Sequence, residues 1–251
     1  MKIINSRQNP HVKTLVALRR ATSRRTQGKF IAEGIRVVSA LVSSGWQPLA
    51  LYATEKMLHQ AQALLDANGT PDLLTCVTDH VMEKISTTKS SSGLLGVFTT
   101  PFSKVLKLTD GLVLAKITDP GNTGTLIRTC AAMNRQTVII VDGCDPWSPK
   151  VVQASAGTIG NVVVHEWDWD YLIARKGNAT LNALVVKDGS QPQQSSNNQT
   201  LLVVGNEAHG IPNKWLEQCD TQTTLAMPGK TESLNAAVAG SIALYTLFSN
   251  N

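Results

Sequence analysis

The chain has 251 residues, 42% of them hydrophobic, and a formal net charge of +5 at neutral pH. This length can bury one large core or, as we expect, two modest ones. No apolar run is long enough for a membrane span, and the first residues lack the apolar core of a signal peptide, so the sequence predicts a cytoplasmic protein. The four cysteines are scattered and the five histidines lack metal-ligand spacing, so we expect no disulfide and no bound metal.

The positive charge is concentrated at the amino-terminal end. Residues 1–40 hold nine lysines and arginines against the single acid Glu33, a charge of +8, so the rest of the chain sums to −3. A basic end on a mildly acidic body favours binding to a polyanion, since phosphate neutralisation drives nucleic-acid binding. We predict RNA contacts in the cluster RRATSRR, with a solvated basic helix as the alternative. The candidate residues are Arg19, Arg20, Arg24 and Arg25.

Strands and helices alternate along the first hundred residues. An amphipathic basic helix is predicted to begin with Asn9 as its cap and Pro10 in its first turn, with Arg20 and Arg24 away from its apolar face. The elements predicted after it are strand KFIAEG, a helix over residues 35–42, strand PLALYAT, a helix over 55–67, strand DLLTCVT, a short helix over 79–85 and strand GLLGVFTT. This order indicates a small α/β domain with a mostly parallel sheet.

A charged stretch of low periodicity, TPFSKVLKLTDG, interrupts the alternation. We place the domain boundary within it, which gives domains over residues 1–104 and 105–251. The second domain is predicted to contain strands LVLAKI, TVIIVD, NVVVHE, LNALVV, TLLVVG and TTLAM, and helices over 122–133, after Pro149, near 212–218 and over 233–248. The pattern indicates a second α/β domain, in which the polar tract over 188–199 is a surface loop.

The letters G-K-T occur at residues 229–231, before an alanine-rich helix. A Walker phosphate loop needs a second glycine five residues before Gly229, where Thr224 stands instead. The tripeptide therefore indicates a turn with a solvated lysine rather than nucleotide binding. A Rossmann-type nicotinamide enzyme is also disfavoured, because no G-x-G-x-x-G follows a predicted strand.

Three loops at the carboxyl ends of predicted strands carry polar residues. They are DPGNTGTLIR, VVGNEAHGIP and MPGKTESLNAAVA. Each alone could be a turn or a helix cap. In a parallel sheet, however, these strand ends share one edge, where ligands collect. We therefore expect a single site that combines Asn122, Arg128, Glu207, Ser233 and Asn235.

In this order the three motifs resemble those of the SpoU/TrmH family of RNA 2′-O-ribose methyltransferases, in the SPOUT class. The first hundred residues are similar to the substrate-binding domain of many members, through INSRQNPHVKTLVAL and GKFIAEGIRVV. The resemblance implies an α/β fold with a deep trefoil knot near the carboxyl end, and a homodimer with its site at the subunit interface. It also implies S-adenosylmethionine as methyl donor, RNA as substrate and no metal.

The resemblance assigns roles to the motif residues. Arg128 matches the catalytic arginine, which would either take the 2′-hydroxyl proton or, as a cation, bind the adjacent phosphate. Asn122 would position the ribose or Arg128, and Glu207 would orient that arginine or its loop, with a structural ion pair as the alternative. Ser233 and Asn235 would complete the site by hydrogen bonds. The cofactor would lie against backbone groups near Val204, Gly205, Leu225, Met227 and Leu234.

Three further positions leave alternatives open. Asn134 stands where a glycine is common in the family, and could adopt the left-handed conformation nearly as well. Gln153 replaces a common arginine and so removes one charge from the expected substrate contacts. Trp147 could stack on a base or anchor its loop. The two-domain arrangement favours large-subunit ribosomal RNA as substrate, with tRNA or a non-catalytic dimeric RNA-binding protein as alternatives.

Overall fold

The computed structural model describes residues 3–101, 108–193, 199–229 and 233–249. Its contacts divide the chain into two compact units, Met1–Phe102 with Trp147–Gly160, and Ser103–Pro146 with Asn161–Asn251. The domain boundary expected between residues 104 and 105 lies outside the described residues, as do Lys230 and Thr231 of the G-K-T turn. No helix among the described residues is long and apolar enough to cross a membrane.

The first unit is built on a five-stranded sheet. Its strands are β1 (Ile3–Ile4), β2 (Lys29–Glu33), β3 (Pro48–Ala53), β4 (Leu74–Val77) and β5 (Leu94–Thr99), in the order β1-β4-β3-β5-β2. Its helices include α1 (Pro10–Ala17), α2 (Ala21–Gln27), α3 (Ile35–Ser43), α4 (Leu58–Asp66) and α5 (Asp79–Ile85). Strands β1, β4 and β3 pair in parallel, and β5 is antiparallel to both β3 and β2. Four strands thus run in one direction, which confirms the mostly parallel sheet.

The basic amino-terminal segment forms two helices rather than one. Helix α1 begins as predicted, because the side chain of Asn9 accepts a hydrogen bond from a backbone N–H of the first turn at 2.9 Å. It ends at Ala17. The guanidinium of Arg24 then donates to the carbonyls of Leu18 and Arg19, at 2.8 and 2.7 Å, and the residue is only 3% exposed. The single helix with Arg24 on its outer face is therefore wrong, since this arginine holds the turn between α1 and α2.

Trp147 is a buried anchor of the segment Trp147–Gly160 within the first unit. Its ring lies 5.0 Å from that of Phe30 and 5.6 Å from that of Trp46, between centroids, and the residue is 5% exposed. Of its two proposed roles the anchor is confirmed. The same segment packs closely through Gly157, where an added Cβ would lie 2.5 Å from the carbonyl oxygen of Val37.

The second unit contains a six-stranded sheet whose neighbouring strands all pair in parallel. Its strands are β6 (Gly111–Ala115), β7 (Thr137–Val141), β8 (Val163–Trp167), β9 (Thr180–Val185), β10 (Thr200–Gly205) and β11 (Thr221–Thr224). Its helices are α6 (Pro120–Ala132), α8 (Trp169–Arg175), α9 (Asn213–Leu216) and α10 (Ala236–Phe248), while α7 (Pro149–Ala154) belongs to the first unit. The predicted α/β class is confirmed for both units, although the sequence prediction lacks α8.

The strand order places the three motifs at one edge of this sheet. The order is β11-β9-β10-β6-β7-β8. Strands β7 and β8 thus lie on one side of β6, and the later strands β9, β10 and β11 all lie on its other side. Such a switch point opens a crevice at the carboxyl ends of the strands. The first two motifs follow the adjacent strands β6 and β10. After α6 the chain turns at Asn134, which adopts a left-handed φ of 54° as expected.

Candidate functional site

The first motif forms the turn from β6 into α6. The side chain of Asp119 accepts a hydrogen bond from the backbone N–H of Asn122 at 2.7 Å, and Pro120 occupies the first position of the helix. Proline suits that position because its missing N–H would have no helical partner there. This cap places Asn122 in the first turn of α6, at the carboxyl edge of the sheet.

The second motif is a tight turn over residues 206–210. The backbone groups of Asn206 and Gly210 exchange two hydrogen bonds, at 3.0 and 2.9 Å. The side chain of Asn206 accepts from two N–H groups of the turn and donates to the carbonyl of Lys116 at 3.0 Å. A Cβ on Gly205 would lie 2.4 Å from the carbonyl carbon of Gly210, so only glycine fits there. The turn presents Glu207 at the sheet edge, and Asn206 is an organising residue that the sequence analysis missed.

The third motif leads into α10. The side-chain oxygen of Asn235 accepts hydrogen bonds from the backbone N–H groups of Ala237 and Val238, at 2.9 and 3.2 Å. Asn235 is therefore the cap of a helix that begins at Ala236. The expected start at Ser233 is wrong by three residues, because the capping asparagine ends the loop later than the apolar pattern suggests.

Hydrogen bonds join the three motifs. The side-chain amide of Asn235 donates to the side-chain oxygen of Asn122 at 3.0 Å, and the amide of Asn122 donates to the carboxylate of Glu207 at 2.5 Å. The structure thus brings together three of the five residues expected at the site. In each asparagine the side-chain oxygen accepts hydrogen bonds and the side-chain amide donates one. Both side chains are therefore fixed, and they hold the carboxylate of Glu207 in a defined orientation.

A cleft of about 540 Å³ lies beside this network. Its walls come from the loops after β9, β10 and β11 and from the start of α10. All five residues expected to contact the cofactor line the cleft, namely Val204, Gly205, Leu225, Met227 and Leu234. Its volume falls within the range of small-molecule sites, roughly 300–1,000 Å³. Among the described residues, no group of three or more His, Cys, Asp or Glu side chains could hold a metal ion.

Other lining residues follow β9 and escaped the sequence analysis. They include Val186 and Lys187, and the second motif adds His209. The local sequence LNALVVKDG shows only a strand and a turn. What places this turn at the cleft is the position of β9 between β10 and β11, which is a property of strand pairing.

Ser233 and Arg128 are the two expected residues outside the hydrogen-bonded network. Ser233 lines the cleft. Arg128 lies on the exposed side of α6 and has no hydrogen-bond or ion-pair partner within the part of the chain that the structure describes. The hydroxyl of the next residue, Thr129, shares a 2.8 Å hydrogen bond with that of Ser241 in α10. Helix α6, which carries Arg128, therefore packs against α10.

The four arginines expected to bind RNA differ in their surroundings. Arg24 is buried in the turn between α1 and α2. The guanidinium of Arg19 donates to the backbone carbonyls of Lys84, at 2.6 Å, and Ser86, at the end of α5. Arg19, Arg20 and Arg25 are exposed. Of the four, only Arg24 is therefore withdrawn from the surface, while Arg19 carries exposed charge and also holds backbone in place.

The sequence matches the profile of the SpoU rRNA Methylase family over residues 111–245. The chain belongs to this family. Residues 9–96 match the MRM3-like substrate binding domain. Both matches confirm the resemblance drawn from the three motifs and the first hundred residues, and with it the methyltransferase class of this SpoU methylase.

The matches between this SpoU methylase and several relatives span most of both chains. The 23S rRNA (guanosine(2553)-2′-O)-methyltransferase of Bacillus subtilis is 27% identical, and the match covers 98% of this chain and 99% of the relative. The 23S rRNA (uridine(2479)-2′-O)-methyltransferase of Streptomyces viridochromogenes is also 27% identical, with coverages of 87% and 82%. The crystal structure of an AdoMet-bound rRNA methyltransferase from Sinorhizobium meliloti is similar at a TM-score of 0.85 and 25% identity, with coverages of 98% and 96%.

Proposed function

We propose that the protein transfers a methyl group from S-adenosylmethionine to a ribose 2′-hydroxyl of large-subunit ribosomal RNA. The observation that carries this proposal is the hydrogen-bonded network of Asn122, Glu207 and Asn235 beside a ligand-sized cleft. Two relatives of matching length act on 23S rRNA at ribose 2′-O positions, and a similar structure binds AdoMet. The ribosomal substrate also makes the cytoplasm the proposed location.

The cleft suits S-adenosylmethionine by its mixture of apolar walls and exposed backbone. Gly205 contributes main-chain groups to the cleft wall, and the side chains of Leu225, Met227 and Leu234 offer apolar contact to a planar base. When bound, the cofactor supplies an electrophilic methyl group on a sulfonium. Val204 would contribute through its backbone, because its side chain belongs to the buried strand β10.

The chain's own residues would orient the ribose and stabilise negative charge on its oxygen. A guanidinium stays protonated in proteins, so Arg128 would act as a cation that binds the neighbouring phosphate and stabilises the developing alkoxide. The carboxylate of Glu207, fixed by Asn122, would orient that arginine or the ribose. Ser233, at the rim of the cleft, would add a hydroxyl that donates or accepts a hydrogen bond.

We further propose that the active form is a homodimer joined through α10. Val238, Ile242 and Tyr245 are 48%, 44% and 63% exposed, and their spacing puts them on one face of the helix. A second copy of the chain on this face would bury apolar surface that is otherwise in contact with water. Since helix α6, which carries Arg128, packs against α10, the partner would lie near Arg128 and complete the site. The trefoil knot stays a prediction from the family.

The first domain, over residues 1–104, would bind the RNA, and the second, over 105–251, would carry out the transfer. Arg20 and Arg25 would contact phosphates directly. Arg19 and Arg24 would support them by holding the α1–α2 turn and the end of α5.

Paired substitutions of Arg128 test the proposed reaction. We expect Arg128→Ala to lower methyl transfer by about 100-fold or more, the usual cost of losing a preorganised stabilising group. Cofactor affinity, measured by calorimetry, should stay within about twofold, because Arg128 does not line the cleft. Arg128→Lys keeps the charge and should retain part of the activity. Equal loss of transfer and cofactor affinity in Arg128→Ala would contradict the assigned role.

A further inference from the structure

The carboxyl edge of the first unit's sheet collects polar residues. Strands β1, β2, β3 and β4 run in the same direction, so they all end at this edge, where β5 begins. Glu33 ends β2, Thr54 follows β3 and Asp79 lies two residues after β4. The loop over residues 86–93 leads from α5 into β5 at the same edge. In open α/β sheets, ligands bind at this end of the strands.

The side chain of Glu33 accepts hydrogen bonds from the loop over residues 86–93 and holds it in place. The residue is 4% exposed, and its carboxylate accepts hydrogen bonds from the hydroxyls of Ser86, Thr87 and Thr88 at 2.6, 2.8 and 3.0 Å. The backbone N–H of Thr87 donates as well, at 2.7 Å. Burial raises the pKa of Glu33, but these hydrogen bonds outweigh it, so the pKa lies below its ordinary value. The loop is thus organised around a buried carboxylate anion.

A second charged group, the guanidinium of Arg19, holds the start of the same loop. The guanidinium of Arg19 donates to the backbone carbonyls of Lys84 and Ser86, while the hydroxyl of Ser86 donates to Glu33. Ser86 is therefore bonded through both its backbone and its side chain. This arrangement displays the exposed tip over residues 89–91 in a defined conformation.

A cavity of about 630 Å³ lies against this tip. Two cationic side chains, Lys56 and Lys89, line it together with the hydroxyl-bearing Ser90 and Ser91. Both lysines are exposed, and neither has a hydrogen-bond or ion-pair partner in the described ranges of the chain. Their charges are thus available to an anionic ligand.

Helix α5 supplies two carboxylates to the lining of the cavity, those of Asp79 and Glu83. Glu83 pairs with Arg7, with 3.0 Å between nitrogen and oxygen. Asp79 has no such partner among the described residues, and it also lines the cavity. The cavity therefore offers two unpaired cations and one unpaired hydrogen-bond acceptor, on a rigid edge of the sheet.

We propose that this cavity binds one unpaired nucleotide of the RNA substrate. Lys56 and Lys89 contact the phosphates that flank the nucleotide, and Asp79 accepts a hydrogen bond from an exocyclic amino group of its base. Proteins read RNA sequence mainly in unpaired segments whose bases are splayed out, which suits a cavity of this size. Uracil presents a carbonyl where cytosine presents an amino group, so the site prefers cytosine over uracil. The inference rests on the proposed function in taking RNA as the ligand.

Binding of labelled RNA octamers to the full-length protein tests this site by fluorescence anisotropy. We expect oligocytidine to bind about tenfold more tightly than oligouridine, and both more tightly than an octamer duplex. Asp79→Asn should bring the cytidine-to-uridine ratio close to one. Lys56→Gln with Lys89→Gln should weaken both octamers by about tenfold and reduce the salt dependence by one to two phosphates.

The matched control is Lys13→Gln with Lys150→Gln, which removes the same charge from the same unit outside the cavity lining. Equal affinities of the two double variants would overturn the proposal, as would tighter binding of the duplex. Thermal melting and cofactor affinity are measured for each variant, and both should be unchanged. Failure of the proposed function can be told apart from failure of this inference, because the unaltered protein would then not bind the cofactor.

Discussion

Asn235 has two tasks that two substitutions can separate. Its side-chain oxygen caps α10, and its amide donates to Asn122, which in turn holds Glu207. Asn235→Ala removes both functions. Asn235→Asp keeps the capping oxygen, and its negative charge suits the amino-terminal end of a helix, but it loses the donor. The aspartate therefore isolates the contribution of the network to activity from that of the cap to stability.

The expected sizes of the two effects differ. Loss of the cap in Asn235→Ala should reduce the free energy of unfolding by about 1 kcal/mol, which lowers the melting temperature by about 2–4 °C. Asn235→Asp should melt close to the unaltered protein. Both variants should transfer methyl groups about 100-fold more slowly, because Asn122 would face a carboxylate or a gap and no longer position Glu207.

Circular dichroism melts and transfer of labelled methyl groups to ribosomal RNA measure the two effects. Full activity in Asn235→Asp would refute the idea that the amide orients the site. A melting temperature of Asn235→Asp as low as that of Asn235→Ala would refute the capping role.

Four other substitutions have separate expected outcomes. Arg24→Ala should reduce the free energy of unfolding by about 2 kcal/mol, because two buried hydrogen bonds are lost. Arg20→Ala should leave stability unchanged and weaken RNA binding by about one phosphate contact. Urea unfolding and salt-dependent RNA binding measure the two effects, and a stability loss in Arg20→Ala without one in Arg24→Ala would contradict these roles. Glu33→Gln should cost about 2 kcal/mol at pH 7. Because the pKa of Glu33 is lowered in the folded state, this stability difference should shrink as the pH falls below 4.5, the ordinary pKa of the group. Unfolding experiments at several pH values measure it, and a difference that stays constant would contradict stabilisation by the ionised carboxylate. Gly205→Ala should reduce cofactor affinity at least tenfold by displacing the second motif, and calorimetry showing normal affinity would exclude that tight packing.

Short-range signals predicted several features of the fold. Asn9 followed by Pro10 marks the start of α1, because a capping side chain and a proline are both local requirements of a helix end. The order of strands and helices predicted the α/β class. The three motifs predicted that Asn122, Glu207 and Asn235 lie close together, since the carboxyl ends of parallel strands share an edge.

Other features depend on contacts between distant parts of the chain. The sequence around Arg24 is typical of a solvated basic helix. Its burial is explained by the backbone carbonyls of Leu18 and Arg19, which accept hydrogen bonds from its guanidinium. Trp147 lies among residues of the second half, yet its ring packs on Phe30. Lys187 lines the cleft because β9 pairs with β10 and β11, an order that no local pattern contains.

Mapping of methyl transfer to ribosomal RNA tests the central claim most directly. The full-length protein is incubated with ribosomal RNA that lacks modifications and with S-adenosylmethionine carrying a labelled methyl group, and the labelled nucleotides are located and hydrolysed. We expect label on a ribose 2′-oxygen of large-subunit RNA, and none when Arg128 is replaced by alanine. Label on a base, or no transfer together with no binding of the cofactor, would contradict the account.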